Sequence, residues 1–72
     1  MERYLNIDGD SGVSGYEIGV DFIRVQFSSG SIYLYTYVSA GQDLIEQMKV
    51  LAKTGNGLNA FINTHARKSY VR

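Results

Sequence analysis

The chain has 72 residues, with seven acidic and seven basic side chains, and it contains neither cysteine nor proline. We expect one domain over residues 1–72, because a chain this short has room for a single small core. The missing cysteine excludes disulfides and cysteine-based metal sites. No apolar run approaches the roughly 20 residues of a membrane span, so we expect no membrane partner. The N-terminus also lacks an apolar signal segment, so a cytoplasmic location is expected.

The N-terminal segment, residues 1–10, is predicted to be a short edge strand or a flexible N-terminus. Tyr4, Leu5 and Ile7 supply the apolar residues that such a strand needs. Residues 8–15 are rich in Gly, Asp and Ser, a composition typical of a loop. The first regular strand is therefore expected after this loop.

Three later segments alternate apolar and polar residues with the period of a β-strand. They are residues 16–20, 23–27 and 31–38, and the turn Ser28-Ser29-Gly30 separates the last two. The third segment is especially dense in residues that favour strands. The sequence therefore predicts an antiparallel sheet of three to four strands.

The loop between the last two strands sets which residues share a face of the sheet. A three-residue loop with Gly30 in the left-handed bulge position pairs Phe27 with Ser31 and places Tyr33 and Tyr35 on the core face. A two-residue turn shifts the register and places both tyrosines on the outer face. We favour the three-residue loop, because glycine adopts a positive φ without steric cost.

Two helices are predicted after the strands, which makes the fold α+β with the order β-β-β-α-α. Ser39 and Gln42 fit a capping box that begins the first helix, and Gly55 suits its C-terminal cap. The apolar stripe of the first helix consists of Leu44, Met48 and Leu51 with Ile45 and Ala52. The second helix is predicted from residues at i, i+3, i+4 and i+7, which are Leu58, Phe61, Ile62 and His65.

Charge is divided unevenly along the chain. Residues 1–36 carry five acids and two bases, whereas residues 37–72 carry two acids and five bases. The five bases, Lys49, Lys53, Arg67, Lys68 and Arg72, suggest a cationic face that meets an anion. Lys49 and Lys53 lie one helical turn apart, so both can reach one run of phosphates. The alternative is that helices simply favour cations near their C-terminal ends.

Two further residue types could contribute to a nucleic-acid site. Exposed Tyr33 and Tyr35 would stack on unpaired bases, although sheet packing is the alternative role for both. Asn59 could donate a hydrogen bond to a phosphate or a ribose, or it could bond the backbone of the turn at residues 55–57. The sequence thus predicts a non-catalytic module that binds RNA or another single-stranded nucleic acid.

A protein-interaction or self-associating module is the second hypothesis. In the favoured register, the outer sheet face carries the apolar residues Phe22, Ile32 and Leu34 beside Arg24, Gln26 and Thr36. An apolar patch on a second sheet face often marks an interface. The opposite charge of the two halves could also pair between subunits of a homodimer.

No combination of residues predicts catalysis, a metal site or a cofactor. Gly9-Asp10-Ser11-Gly12 resembles the nucleophile segment of trypsin-like proteases, but that chemistry needs a double barrel that 72 residues cannot build. Asp8, Asp10 and Gly12 resemble the start of a calcium loop whose later ligand positions are missing. His65 is the only histidine, and we expect it to pack half buried beside Ile62.

Four motifs together resemble the KTSC domain family. The order and spacing of that family's motifs are matched by four segments of this chain. They are Ile18-Gly19-Val20-Asp21, the strand and Gly turn that follow it, Tyr33-Leu34-Tyr35, and Gly55 with Leu58-Asn59 and Ile62. The resemblance covers residues 11 to about 70, although Ser39 stands near the position where the family often has a proline. This family occurs at the C-terminus of some lysyl-tRNA synthetases and in stand-alone bacterial and phage proteins. The resemblance implies RNA binding, because the family is attached to a tRNA-charging enzyme. Its phage members, together with the basic helix, suggest sequestration of a small nucleotide as a minor alternative.

Overall fold

Four antiparallel strands in chain order form one side of the protein, and helices cover it. The computed structural model describes residues 1–5 and 12–71. The strands are β1 (Glu2–Arg3), β2 (Val13–Ile18), β3 (Phe22–Phe27) and β4 (Ile32–Thr36). The helices are α1 (Tyr37–Ala40), α2 (Gln42–Thr54) and α3 (Leu58–Phe61), and α3 continues as a π-helical turn over Ile62–Ala66. The predicted α+β fold with an antiparallel sheet is confirmed.

Parts of the sequence predictions lie outside the described residues. They are Ile7 of the edge strand, residues 8–11 of the loop, and Arg72. The rest of the predicted loop is wrong in part, because residues 13–15 belong to β2, and the strand predicted over residues 31–38 ends at Thr36. The edge strand itself is present as β1, in which Glu2 pairs with Tyr16 and Arg3 with Gly15. The first residues of the chain thus belong to the sheet.

The β3–β4 hairpin has the predicted three-residue loop. The Phe27 N–H donates to the Ser31 carbonyl at 2.8 Å. Gly30 has φ of +97°, the positive value that the bulge position requires. Val25 consequently lies opposite Tyr33, which places the tyrosine strand in the expected register.

The core lies between the sheet and the helices. Its buried residues are Tyr4, Val13, Ile23, Val25 and Tyr35 from the sheet side, with Ile45, Met48, Ala52, Leu58, Ile62 and Ala66 from the helical side. Tyr4 also joins the two sides, because its hydroxyl accepts the Leu58 backbone N–H at 3.2 Å. That N–H belongs to the first turn of α3, where no partner exists within the helix.

The predicted helix start at Ser39 is wrong. The capping box is formed one turn earlier by Thr36 and Ser39, whose side chains each accept the other residue's backbone N–H at 3.0 Å. This box begins α1 at Tyr37. Gly41, with φ of +92°, then separates α1 from α2. A serine three residues after a threonine satisfies the amides at the end of β4, so the helix begins as soon as the strand stops.

The C-terminal helical region agrees with the prediction in part. Gly55 ends α2 in the left-handed conformation with φ of +81°, as expected. Leu58 and Ile62 are buried as predicted, but His65 is exposed and its ring lies 4.9 Å from that of Phe61. The expectation that His65 packs half buried is therefore wrong, since Ala66 occupies the next inward position after Ile62.

Burial of Tyr35 predicts a loss of stability at high pH. Desolvation, helped by the charges of Tyr33 and Tyr70, raises the pKa of Tyr35 from 10.0 to about 12. The folded state therefore keeps this proton while the unfolded chain releases it, so stability is fully present below pH 10 and falls between pH 10 and 12. Urea unfolding of the wild type and Tyr35→Phe across this interval should show the steeper decline in the wild type. Equal declines in the two proteins would contradict the assignment, because Tyr35→Phe has no hydroxyl proton to release at this position.

Candidate nucleic-acid interface

Lys49 is engaged within the protein. Its ammonium donates to the Glu46 carboxylate and to the Val20 carbonyl, each at 2.8 Å, and its side chain is 12% exposed. The hydrogen bond to Glu46 raises the pKa of Lys49 and keeps it charged. The Tyr37 hydroxyl donates to the same carboxylate at 2.6 Å. Lys49 therefore joins α2 to the β2–β3 turn and is not available as a phosphate ligand.

The other described bases lie at different edges of the sheet. Lys53 borders a hollow formed by β1 and β2, together with the acids Glu2 and Glu17. Arg67 borders a cavity beside β3 and β4, and the exposed Lys68 follows it. Because β1 and β4 are the two edges of the sheet, Lys53 and Arg67 do not belong to one surface. The expected continuous cationic face is absent from the described residues.

The two predicted tyrosines differ in exposure. Tyr35 is 1% exposed and lies in the core, so it cannot stack on a base. Tyr33, two residues earlier on the same face, is 37% exposed at the hairpin end of the sheet. The predicted contact role is therefore wrong for Tyr35 and is retained for Tyr33.

Three aromatic rings meet around Tyr33. Its ring centroid lies 5.5 Å from Phe27 in an edge-to-face arrangement and 4.8 Å from Tyr70 in a tilted one. Tyr70 is held there because the next residue, Val71, donates its backbone N–H to the Leu34 carbonyl on the edge of β4. We call Phe27, Tyr33, Tyr70 and Arg67 the aromatic patch.

Sequence reasoning missed Phe27 and Tyr70 as members of this site. No predicted element includes Tyr70, because the apolar periodicity of the second helix ends at His65, although a large aromatic side chain is itself a signal of packing. Phe27 was assigned to the sheet only. Their contact with Tyr33 joins residues far apart in sequence, which no local pattern reveals.

Two cavities flank Tyr33 and Phe27, which line both. The first, of about 230 Å³, is also lined by Tyr35, Ile62, Asn63, Arg67 and Tyr70. The second, of about 380 Å³, is also lined by Gly12, Ser28, Ser29 and Ser31. Within the described part of the chain, no acidic residue lines either cavity. Ring faces, hydroxyls, an amide and a guanidinium are the groups that single-stranded nucleic acids meet in proteins.

Asn59 lies at the border of this region. A Cβ built on Gly12 would stand 3.4 Å from the Asn59 side-chain oxygen, so the carboxamide packs beside Gly12. Gly12 in turn accepts the Ser28 backbone N–H and lines the second cavity. Asn59 is thus near the aromatic patch and remains a candidate contact residue.

The apolar patch expected on the outer sheet face is partly covered. The Arg24 guanidinium lies 5.1 Å from the centre of the Phe22 ring and forms an ion pair with Glu17. Ile32 remains 53% exposed, whereas Leu34 is half buried. This face therefore presents less apolar surface than the sequence suggests.

Over residues 1–5 and 12–71, no three His, Cys, Asp or Glu side chains form a group that could hold a metal ion. None of the helices seen in those same ranges combines the length and the apolar character needed to cross a bilayer.

Comparisons of the chain with protein families, with curated proteins and with solved structures found no match. The resemblance to the KTSC domain family accordingly stays a prediction made from the sequence.

Proposed function

We propose that this protein is a non-catalytic module that binds single-stranded nucleic acid, RNA in the first place, at the aromatic patch. The observation that carries the proposal is the position of Tyr33, whose ring is exposed between Phe27 and Tyr70 with Arg67 beside it. Stacking of a base on such a ring contributes about 1–3 kcal/mol and tolerates any sequence.

The arrangement of the rings supports this role because it fixes the orientation of the Tyr33 ring in the unbound protein. Phe27 supports the Tyr33 ring through an edge contact, and Tyr70 lies against it from the C-terminal segment. A side chain that is already ordered loses less conformational entropy on binding. The patch thus offers a preformed surface on which a base can stack.

The charge beside the patch is small, and this determines the expected salt dependence. Arg67 lines a cavity beside the patch, and the exposed Lys68 follows it in the chain. Two phosphate contacts to a single strand predict about a sevenfold loss of affinity between 50 and 200 mM salt. The five-cation surface expected from the sequence would instead predict a loss of about 130-fold. The salt slope therefore distinguishes the aromatic patch from a general cationic surface.

Fluorescence anisotropy with a labelled twelve-nucleotide oligouridine tests the proposal. Tyr33→Ala should weaken binding about 5-fold to 140-fold, because one stacking contact is lost. Tyr33→Phe keeps the ring and should bind like the wild type. Arg67→Ala should weaken binding, whereas the matched control Lys53→Ala, at another exposed base beside β1 and β2, should not.

Three outcomes would contradict this proposal. Failure of the wild type to bind RNA or single-stranded DNA at 20 mM salt refutes the proposal. Equal effects of Lys53→Ala and Arg67→Ala would refute the placement of the site. Complete competition by a mononucleotide at a concentration equal to that of the oligonucleotide would favour the nucleotide-sequestering alternative.

A further inference from the structure

The smaller of the two cavities beside Tyr33 contains a buried hydroxyl group that has no partner in the protein. Tyr35 is 1% exposed and lines this cavity. No described residue forms a hydrogen bond with its hydroxyl. Within the same ranges, no fully buried side-chain nitrogen or oxygen lacks a partner, so this hydroxyl must reach the open space of the cavity. The ring itself stays covered and cannot stack, so Tyr35 presents only a polar atom to a ligand.

Two polar side chains from the C-terminal helical region line the same cavity. They are Asn63, which belongs to the π-helical turn Ile62–Ala66, and Arg67, which follows that turn. Both residues are exposed, and neither side chain forms an ion pair or a hydrogen bond with a described residue. The carboxamide and the guanidinium are therefore available to a ligand. Short π-helical turns of this kind occur frequently at functional sites.

The size of the cavity limits the part of a nucleic acid that can enter it. Its volume of about 230 Å³ is smaller than the roughly 300–1,000 Å³ of pockets that enclose a drug-sized molecule. A base that stacks on the exposed Tyr33 ring can direct its polar edge into this space, while its ribose and phosphate stay in solvent. The cavity therefore fits the edge of one base.

The polar groups of the cavity favour guanine over the other bases. A guanidinium presents two parallel N–H donors, which match the O6 and N7 acceptors of guanine. Adenine and cytosine carry an amino group where guanine has O6, so two donors would face each other. Within the described part of the chain, no acidic residue lines the cavity to accept hydrogen bonds from such an amino group. Uracil has an oxygen at this position but lacks N7.

We propose that this cavity is a guanine subsite of the nucleic-acid site, an inference that rests on the proposed function because stacking on Tyr33 supplies the affinity. Arg67 donates to O6 and N7 of the base. The Asn63 carboxamide oxygen and the Tyr35 hydroxyl oxygen accept the N1–H and the 2-amino group. A guanidinium has five N–H donors, so Arg67 keeps others for the neighbouring phosphate.

Competition between short strands tests the base preference. Unlabelled tetranucleotides displace the labelled twelve-nucleotide oligouridine, and they differ only in the third base, which is guanine, adenine, cytosine or uracil among uridines. Strands this short can bind in few registers, so the third base determines the measured affinity. The guanine strand should bind about 5-fold to 140-fold more tightly than the adenine and cytosine strands, because one bidentate contact gives this discrimination.

Four variants test the residues of the subsite. Arg67→Lys keeps the positive charge but loses the planar pair of donors, so it should bind tetrauridine like the wild type and lose most of the guanine preference. Tyr35→Phe keeps the core ring, and Asn63→Ala places a good helix former at an exposed position. Each should weaken binding of the guanine strand about 2-fold to 12-fold, because one hydrogen bond is lost. The matched control is Thr64→Ala, at an exposed residue that does not line the cavity, and it should bind like the wild type.

Failure of the subsite can be told apart from failure of the nucleic-acid site. Equal binding of all four tetranucleotides, or tightest binding of the adenine strand, overturns the guanine subsite and leaves stacking on Tyr33 intact. An undiminished guanine preference in Arg67→Lys, or equal losses in Asn63→Ala and Thr64→Ala, also overturns it. A wild type that binds neither the tetranucleotides nor the oligouridine refutes both proposals together.

Discussion

Replacing Tyr35 by alanine is expected to lower the free energy of unfolding by about 3–5 kcal/mol. The ring is 1% exposed, stands opposite Ile23 on β3 and meets Tyr70 edge-to-face at 6.3 Å. Its removal leaves a cavity between the sheet and the helices that this small core cannot easily close. A domain of this size has a total stability of about 4–11 kcal/mol, so this loss is a large fraction of the whole.

Urea denaturation followed by circular dichroism measures this loss. Tyr35→Phe is the matched control, because it keeps the ring and removes only the hydroxyl. Tyr33→Ala should cost clearly less, since the Tyr33 ring is already 37% exposed. Similar losses for alanine at both tyrosines would contradict the separation of one core ring from one surface ring.

Gly55→Ala is the second change with a large expected effect, of about 2–5 kcal/mol. Two costs add at this position. A left-handed φ of +81° costs an alanine about 1–2 kcal/mol. A new Cβ would also stand 2.6 Å from the Cβ of Leu5. A Cβ is tied to its main chain, so the segment after β1 must move, and such overpacking costs about 1–3 kcal/mol.

Gly57→Ala separates these two costs. Gly57 has nearly the same φ, +86°, but a Cβ there would meet its nearest neighbour, Leu51 Cδ2, at an ordinary 3.7 Å. Only the backbone cost of about 1–2 kcal/mol is then expected. Thermal unfolding should show Gly55→Ala as the less stable variant. Equal melting temperatures would mean that the contact with Leu5 is not part of the folded protein in solution.

The local structure follows from neighbouring residues and could be predicted. The β3–β4 hairpin took the three-residue loop because Gly30 alone in that turn accepts a positive φ without strain. Gly55 ended α2 for the same reason. The buried positions of α2, namely Ile45, Met48 and Ala52, lie on the apolar stripe that helical periodicity indicated. Turn geometry and periodicity act over a few residues, so the sequence alone contains them.

The candidate site could be predicted only in part, because its members come from distant segments. Nothing near Lys49 in sequence shows that the Val20 carbonyl, 29 residues earlier, lies within reach of its ammonium. Nor does the Tyr-x-Tyr pattern show which tyrosine is covered by helices. Only the folded chain brings Tyr70 against Tyr33 and places Lys53 and Arg67 at different edges of the sheet.

Amino-acid order was thus sufficient to specify the antiparallel sheet, the hairpin register, the end of α2 and the fold class, since each depends on φ preferences and on apolar periodicity within short segments. Packing between segments was needed to show which charges are neutralised and which rings reach solvent. Those properties depend on contacts across the core between residues from different strands and helices, and no single segment of the sequence contains these contacts.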